Sequence, residues 1–201
     1  SRFKDYDEHL LFEGMNEPRI VGGQDEWTGG TEEEREVINN LFAAFVETVR
    51  KSGGNNATRS LIITGHAAAI DEKAVKGIKV PDDDHIIVSI HAYAPYSFAL
   101  DQSGTSTFSD SDKSELDKNF DFLKSTFIDK GIPVIIGEFG SLNKDNMSDR
   151  VKHMEYYVSA AKARGITCFI WDNGVKDGEG AFGLLNRKDG SWLSLIHISE
   201  P

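Results

Sequence analysis

Five short apolar runs set the strongest limit on the fold: "LLF" (10–12), "LIIT" (61–64), "IIVSI" (86–90), "PVIIG" (133–137) and "TCFIW" (167–171). Most are continuous rather than alternating, which suits strands covered on both faces, as in a parallel sheet. Amphipathic segments separate them. Thr31 and Glu34 form a capping box, after which Val37, Leu41, Phe45 and Val49 recur every four residues beside Ile38, Phe42 and Val46. Gly53 and Gly54 end that helix. Leu116, Phe120, Leu123 and Phe127 make a second stripe, and Val151, Met154, Val158 and Ala161 a third. The stretch 70–77 is a shorter helical candidate. Strand–helix alternation means βαβ units with right-handed crossovers. The stretches "SGTSTFSDSD" (103–112) and "PDDD" (81–84) read as an exposed loop and a solvated turn.

The residues just past each apolar run narrow the choice of α/β architecture. They are "EGMNEP", "GHAA", "HAYAPY", "EFGS" and "WDNG". A doubly wound sheet gathers its ligand groups at one switch point. A (β/α)8 barrel spreads chemistry over many strand ends around one rim, and the barrel reading fits better.

Two acids occupy equivalent places. Glu17 and Glu138 each come after an apolar strand and precede a loop, 138 − 17 = 121 residues apart, so only the fold can join them. Two facing carboxylates, one protonated acid and one charged base or nucleophile, are what glycoside hydrolysis needs. A Tyr hydroxyl donating to Glu138 would keep that carboxylate ionised and aimed. An aromatic ring offers a flat face to the C–H side of a pyranose. His91 and Tyr93, two apart on a strand, share a face.

Composition removes other classes. A formal net charge of −11 argues against nucleic acid, which needs a basic face. The longest apolar runs reach about five residues, far below the roughly 20 that span a membrane. Cys168, the one cysteine, sits in an apolar run and reads as an inert core thiol. No Cys/His cluster has zinc spacing and no Asp-rich loop has EF-hand form, so no metal or other cofactor is expected. Gly178, Gly180 and Gly183 match G-x-G-x-x-G, without the strand–turn–helix context a dinucleotide site requires. "NAT" (56–58) and "NMS" (146–148) fit the glycosylation sequon. His66, His85 and His153 read as satisfied structural histidines, and Trp27 as either a sugar platform or ordinary packing.

The motifs "FEGMNEPR", "VSIHAYAPYSFAL", "IIGEFGS" and "WDNG…GEGAFGLLNR" resemble the second half of glycoside hydrolase family 5, closest to its subfamily 4 endoglucanases and xyloglucanases. The resemblance runs from about residue 8 to 192. It implies a partial (β/α)8 barrel, strands four to eight, with strands one to three and the last helix absent. It further implies Glu17 as acid/base and Glu138 as nucleophile. By the same likeness Asn16 hydrogen-bonds the sugar 2-hydroxyl, His91 and Tyr93 contact substrate and nucleophile, and Trp171 lies under the reactive sugar. The implied activity is retaining hydrolysis of β-1,4-glucan outside the cell, for which the two carboxyls must stand about 5–5.5 Å apart. The family's second-strand Arg and third-strand His would lie upstream, so the chain alone is expected to be inactive. It is also expected to be marginally stable or self-associating, since an incomplete barrel leaves open sheet edges. Residues 1–192 read as catalytic barrel. Residues 193–201, "LSLIHISEP", read as a non-native tail. Xylan, mixed-linkage glucan or mannan as substrate, or a non-catalytic sugar-binding remnant, stay open at this level.

Overall fold

A computed structural model describes residues 2–193. The tail expected at 193–201 falls outside the described residues from 194 onward. Leu193 itself donates its amide to the Leu184 carbonyl at 2.7 Å.

The architecture is that of part of a (β/α)8 barrel. The strands β1 (Phe12–Glu13), β2 (Leu61–Ile63), β3 (Ile86–His91), β4 (Val134–Phe139) and β5 (Thr167–Ile170) are hydrogen-bonded in chain order. The chain forms two compact units. One runs to His91 and includes Thr126–Ile135; the other comprises Ala92–Ser125 and the chain from Ile136 onward.

In the first unit β1, β2 and β3 pair in parallel, with Phe12 opposite Leu61 and Leu61 opposite Ile86. Leu61, Ile63, Val88 and Ile90 are buried, as continuous apolar strands should be. The capping box forms as expected: the Thr31 hydroxyl accepts from the Glu34 amide at 3.2 Å, and Glu34 accepts from the Thr31 amide at 2.7 Å. It opens α1 (Glu32–Lys51). The buried face of α1 is Ile38, Phe42 and Val46, whereas Val37 and Leu41, which lead the expected stripe, are 56% and 51% exposed. Both rows are apolar and one residue apart, about 100° around the helix, so periodicity alone could not choose between them. A short helix, α2 (Glu72–Lys76), precedes β3.

"PDDD" is not simply a solvated turn. The Arg50 guanidinium forks onto the Asp83 carboxylate, with Nε and Nη2 at 2.7 and 2.9 Å, and its other arm donates to the carbonyls of Asn56 and Arg59. Arg50 ties the end of α1 to the turn before β3, and its hydrogen bond holds the Asp83 carboxyl below the usual carboxylate range. A depressed folded-state pKa stabilises above the unfolded value and is lost as pH falls through the folded value. Asp83→Asn is therefore expected to cost about 1–3 kcal/mol at neutral pH. Urea midpoints of the two proteins should converge as the pH is lowered toward 3; a constant gap would refute this account.

In the second unit α3 (Tyr96–Ala99), α4 (Asp110–Thr126) and α5 (Met147–Lys162) meet through Phe98 on His153 and Phe120 on Tyr157, and α5 packs on Phe139 of β4 and on β5. Asp110 begins α4, so the expected loop at 103–112 is shorter at its C-terminal end. The α4 stripe is buried as read from the sequence, through Leu116, Phe120 and Leu123. In α5 the buried face is broader than the aliphatic stripe: Arg150, His153 and Tyr157 join Met154, while Val158 is exposed. The β5 run is not covered on both faces. Phe169 is 53% exposed and shares its face with Thr167 and Trp171. Both sequon asparagines are buried in hydrogen bonds, Asn56 to Arg59 and Ser52, Asn146 to the Ser106 carbonyl, so neither presents its amide to a glycan. Among the described residues no helix is long and apolar enough to cross a membrane.

Candidate active site

Glu17 lies in the irregular segment after β1, in the first unit. Its Oε1 stands 2.9 Å from His91 Nδ1, at the end of β3. Its Oε2 faces the Arg19 guanidinium at 3.6 Å, and Arg19 also donates to the Glu17 carbonyl at 2.9 Å. Arg19 in turn donates to Glu26 at 2.9 Å and lies over the Trp27 ring, 4.1 Å from its centroid. The Gly22 amide, with Arg19, holds the Glu26 carboxyl below its ordinary value. A carboxyl group between an imidazole and a guanidinium is held in direction from both sides. Asn16 precedes it and is exposed. Sequence reasoning missed the Arg19 brace, although Arg19 closes the motif "NEPR".

The loop after β2 supports that segment. The Ala67 amide donates to the Pro18 carbonyl at 2.9 Å, and Ala67 and Ala68 take φ of +52° and +51°. Alanine in that left-handed region costs about 1 kcal/mol or more, and such strain is found where a functional loop is over-determined by its surroundings. His66 is buried as expected of a structural histidine, but among the described residues neither ring nitrogen has a hydrogen-bond partner, and Nε2 stands 3.5 Å from the Glu34 carboxylate. It lies under Gly30, where a Cβ would meet the ring at 2.3 Å, and Gly30 has φ +64°. Close approach and backbone sign both demand glycine there.

In the second unit, Glu138 sits on β4 and accepts the Tyr93 hydroxyl on Oε2 at 2.7 Å. Tyr93 lies two residues beyond the end of β3, its ring edge-on to Phe182 at 5.6 Å. Trp171 comes directly after β5, is 41% exposed, and its amide donates to the Phe139 carbonyl at 2.8 Å. Asp172 and Asn173 organise the next loop. Asp172 accepts from the amides of Gly174 and Leu184, and Asn173 bonds Gly180, Val175 and Phe182. Burial raises the Asp172 carboxyl, but those backbone amides outweigh it and leave it below its ordinary value. Gly178, Gly180 and Gly183 thus belong to a loop shaped by this Asp-Asn pair, with no strand–turn–helix around them. Cys168 is half-buried rather than core, yet burial pushes its thiol up to about 12, so it stays an unreactive thiol.

The family model for cellulase (glycosyl hydrolase family 5) matches residues 1–177. Endoglucanase 1 of Ruminococcus albus is 53% identical over 193 residues, covering 95% of this chain and 47% of that protein. A solved broad-specificity GH5-4 endoglucanase from Clostridium acetobutylicum superposes with a TM-score of 0.95 at 44% identity, over 98% of this chain and 60% of its own. One from Ruminococcus champanellensis with bound cellotriose gives 0.93 at 48% identity, over 98% and 58%. The chain spans about half the length of the Ruminococcus albus relative.

Proposed function

The chain belongs to glycosyl hydrolase family 5, and from that premise we propose that it is the part of a retaining endo-β-1,4-glucanase that carries both catalytic carboxylates. The observation that carries the reading is that each of the two glutamates has a hydrogen-bond partner on one oxygen, His91 Nδ1 for Glu17 and the Tyr93 hydroxyl for Glu138. In the reaction Glu138 attacks the anomeric carbon while Glu17 protonates the departing glycosidic oxygen. Glu17, now a carboxylate, takes a proton from water, which displaces Glu138 and returns the anomeric centre to its original configuration. Asn16 bonds the sugar 2-hydroxyl, and the Trp171 face lies under the ring. The substrate is β-1,4-glucan, as cellulose, xyloglucan or mixed-linkage glucan, in keeping with the endoglucanases it resembles and the cellotriose bound by one of them.

A polymer of that size does not enter cells, so the enzyme acts outside them. The chain by itself is inactive and prone to self-association, for which the exposed Val37, Leu41 and Phe169 side chains supply apolar surface. Gel filtration gives an oligomer peak on this account; a sharp monomer peak with cooperative unfolding refutes it. The function is tested with the chain in a complete family 5 domain. Digestion of cello-oligosaccharides monitored by proton NMR should show the β-anomer first, and a panel of glucans, xylan and mannan should rank glucans highest. Initial release of the α-anomer would establish inversion instead.

A further inference from the structure

Two of the buried polar side chains of helix α5, Tyr157 and His153, bond main-chain carbonyls beside Tyr93 and are not used in the reaction above. Tyr157 donates its hydroxyl to the Ala92 carbonyl at 2.8 Å. His153 Nε2 stands 2.9 Å from the Ala94 carbonyl. A carbonyl only accepts, so Nε2 carries the proton and the tautomer is set. Burial pulls the imidazole down to about 4, so the ring is neutral at working pH.

Buried polar groups need partners, and any nearby carbonyl would serve that need. Both bonds instead fall on the residues either side of Tyr93. The Ala92 amide, in addition, donates to the Glu138 carbonyl at 3.0 Å. The Tyr157 ring stacks on Phe139, centroids 4.3 Å apart and planes 16° from parallel. Tyr157 therefore braces the backbone just before Tyr93 and the side chain just after Glu138. A one-ångström error in such a pair can cost about a hundredfold in rate, which is why its support matters.

We propose that Tyr157 and His153 are positioning residues, pinning the carbonyls on both sides of Tyr93 so that its hydroxyl stays on Glu138. The kinetic part rests on the reading of Glu138 as nucleophile; the geometric part does not. The Tyr93 hydroxyl proton, identified by its loss in Tyr93→Phe, is observed by NMR in tyrosine-labelled protein. Tyr157→Phe, which keeps the stack on Phe139, should speed its exchange at least about tenfold and, in a complete family 5 domain, lower kcat about tenfold with KM unchanged. Adding Tyr157→Phe to Tyr93→Phe should cost nothing more. His153→Leu should behave like Tyr157→Phe, whereas His153→Gln, which keeps an N–H donor, should recover most of the loss. Unchanged Tyr93 exchange in a cooperatively folded Tyr157→Phe protein overturns the proposal, as do kcat losses that simply multiply in the double variant. Faster exchange in a domain with no glycosidase activity supports the positioning role and sinks the functional reading alone.

Discussion

Replacing Glu138 with alanine in a complete family 5 domain containing this chain is expected to lower kcat on β-1,4-glucan on the order of 10⁴-fold or more, with KM little changed. Losses of that size result from removal of a nucleophile whose covalent bond splits one hard step into two. On the proposed roles binding is spared, because Asn16, Trp171 and other contacts would hold the polymer while Glu138 acts mainly in the transition state. The covalent role has its own signature. Azide added to Glu138→Ala can occupy the vacated space and attack from the face that Glu138 used, so an activated β-glycoside should yield the α-azide. Full activity of Glu138→Ala on carboxymethylcellulose or xyloglucan would end the assignment. Tyr93→Phe should sit between the two proteins, since it leaves the carboxylate but removes the 2.7 Å hydrogen bond that aims it.

Glu17→Gln should show a different pattern, because an acid/base is needed in proportion to the leaving group's basicity. General acid–base catalysis contributes about 10²–10⁴-fold, and the loss on polysaccharide should fall in that range. An aryl cellobioside with an acidic phenol departs without a proton, so its first step should be nearly intact. Deglycosylation still needs a base, so the covalent intermediate should accumulate and appear as a burst. Azide then attacks the glycosyl-enzyme from the opposite face and gives the β-azide. The contrast between α- and β-azide separates the two roles without reference to rate. Equal losses on both substrate types, without a burst, would show that Glu17 is not the acid. Arg19 sits 3.6 Å from the same carboxylate, so glutamine there also loses an ionic partner and some of the effect will be positional.

Much of the fold is legible in the chain's own pattern. The five apolar runs coincide with the five strands to within two residues, and in β2 and β3 burial on both faces explains the continuous pattern. The Thr31–Glu34 capping box and the α4 stripe form as expected. The acids are visible because each comes after an apolar run, and the family likeness supplies their order. Local pattern misleads where it lacks a partner: Val37 and Leu41 belong to an apolar row as regular as the buried one, and only the sheet decides which row it covers.

Other features were beyond the reach of the sequence. Asp83 in "PDDD" meets Arg50 across 33 residues, and Tyr157 meets Ala92 across 65. The likeness implies that His91 and Tyr93 contact substrate and nucleophile, and the structure adds a bond from the His91 ring to Glu17, 74 residues away. By itself the sequence determined where strands and helices lie and which chemical groups stand at the strand ends, since periodicity, capping and turn chemistry act between neighbours. Tertiary structure alone decided which helix face is buried, which guanidinium braces Glu17 and which buried hydroxyl steadies Tyr93. Hydrogen bonds and ion pairs act over a few ångströms of space, and separation along the chain says nothing about that distance until the fold has closed it.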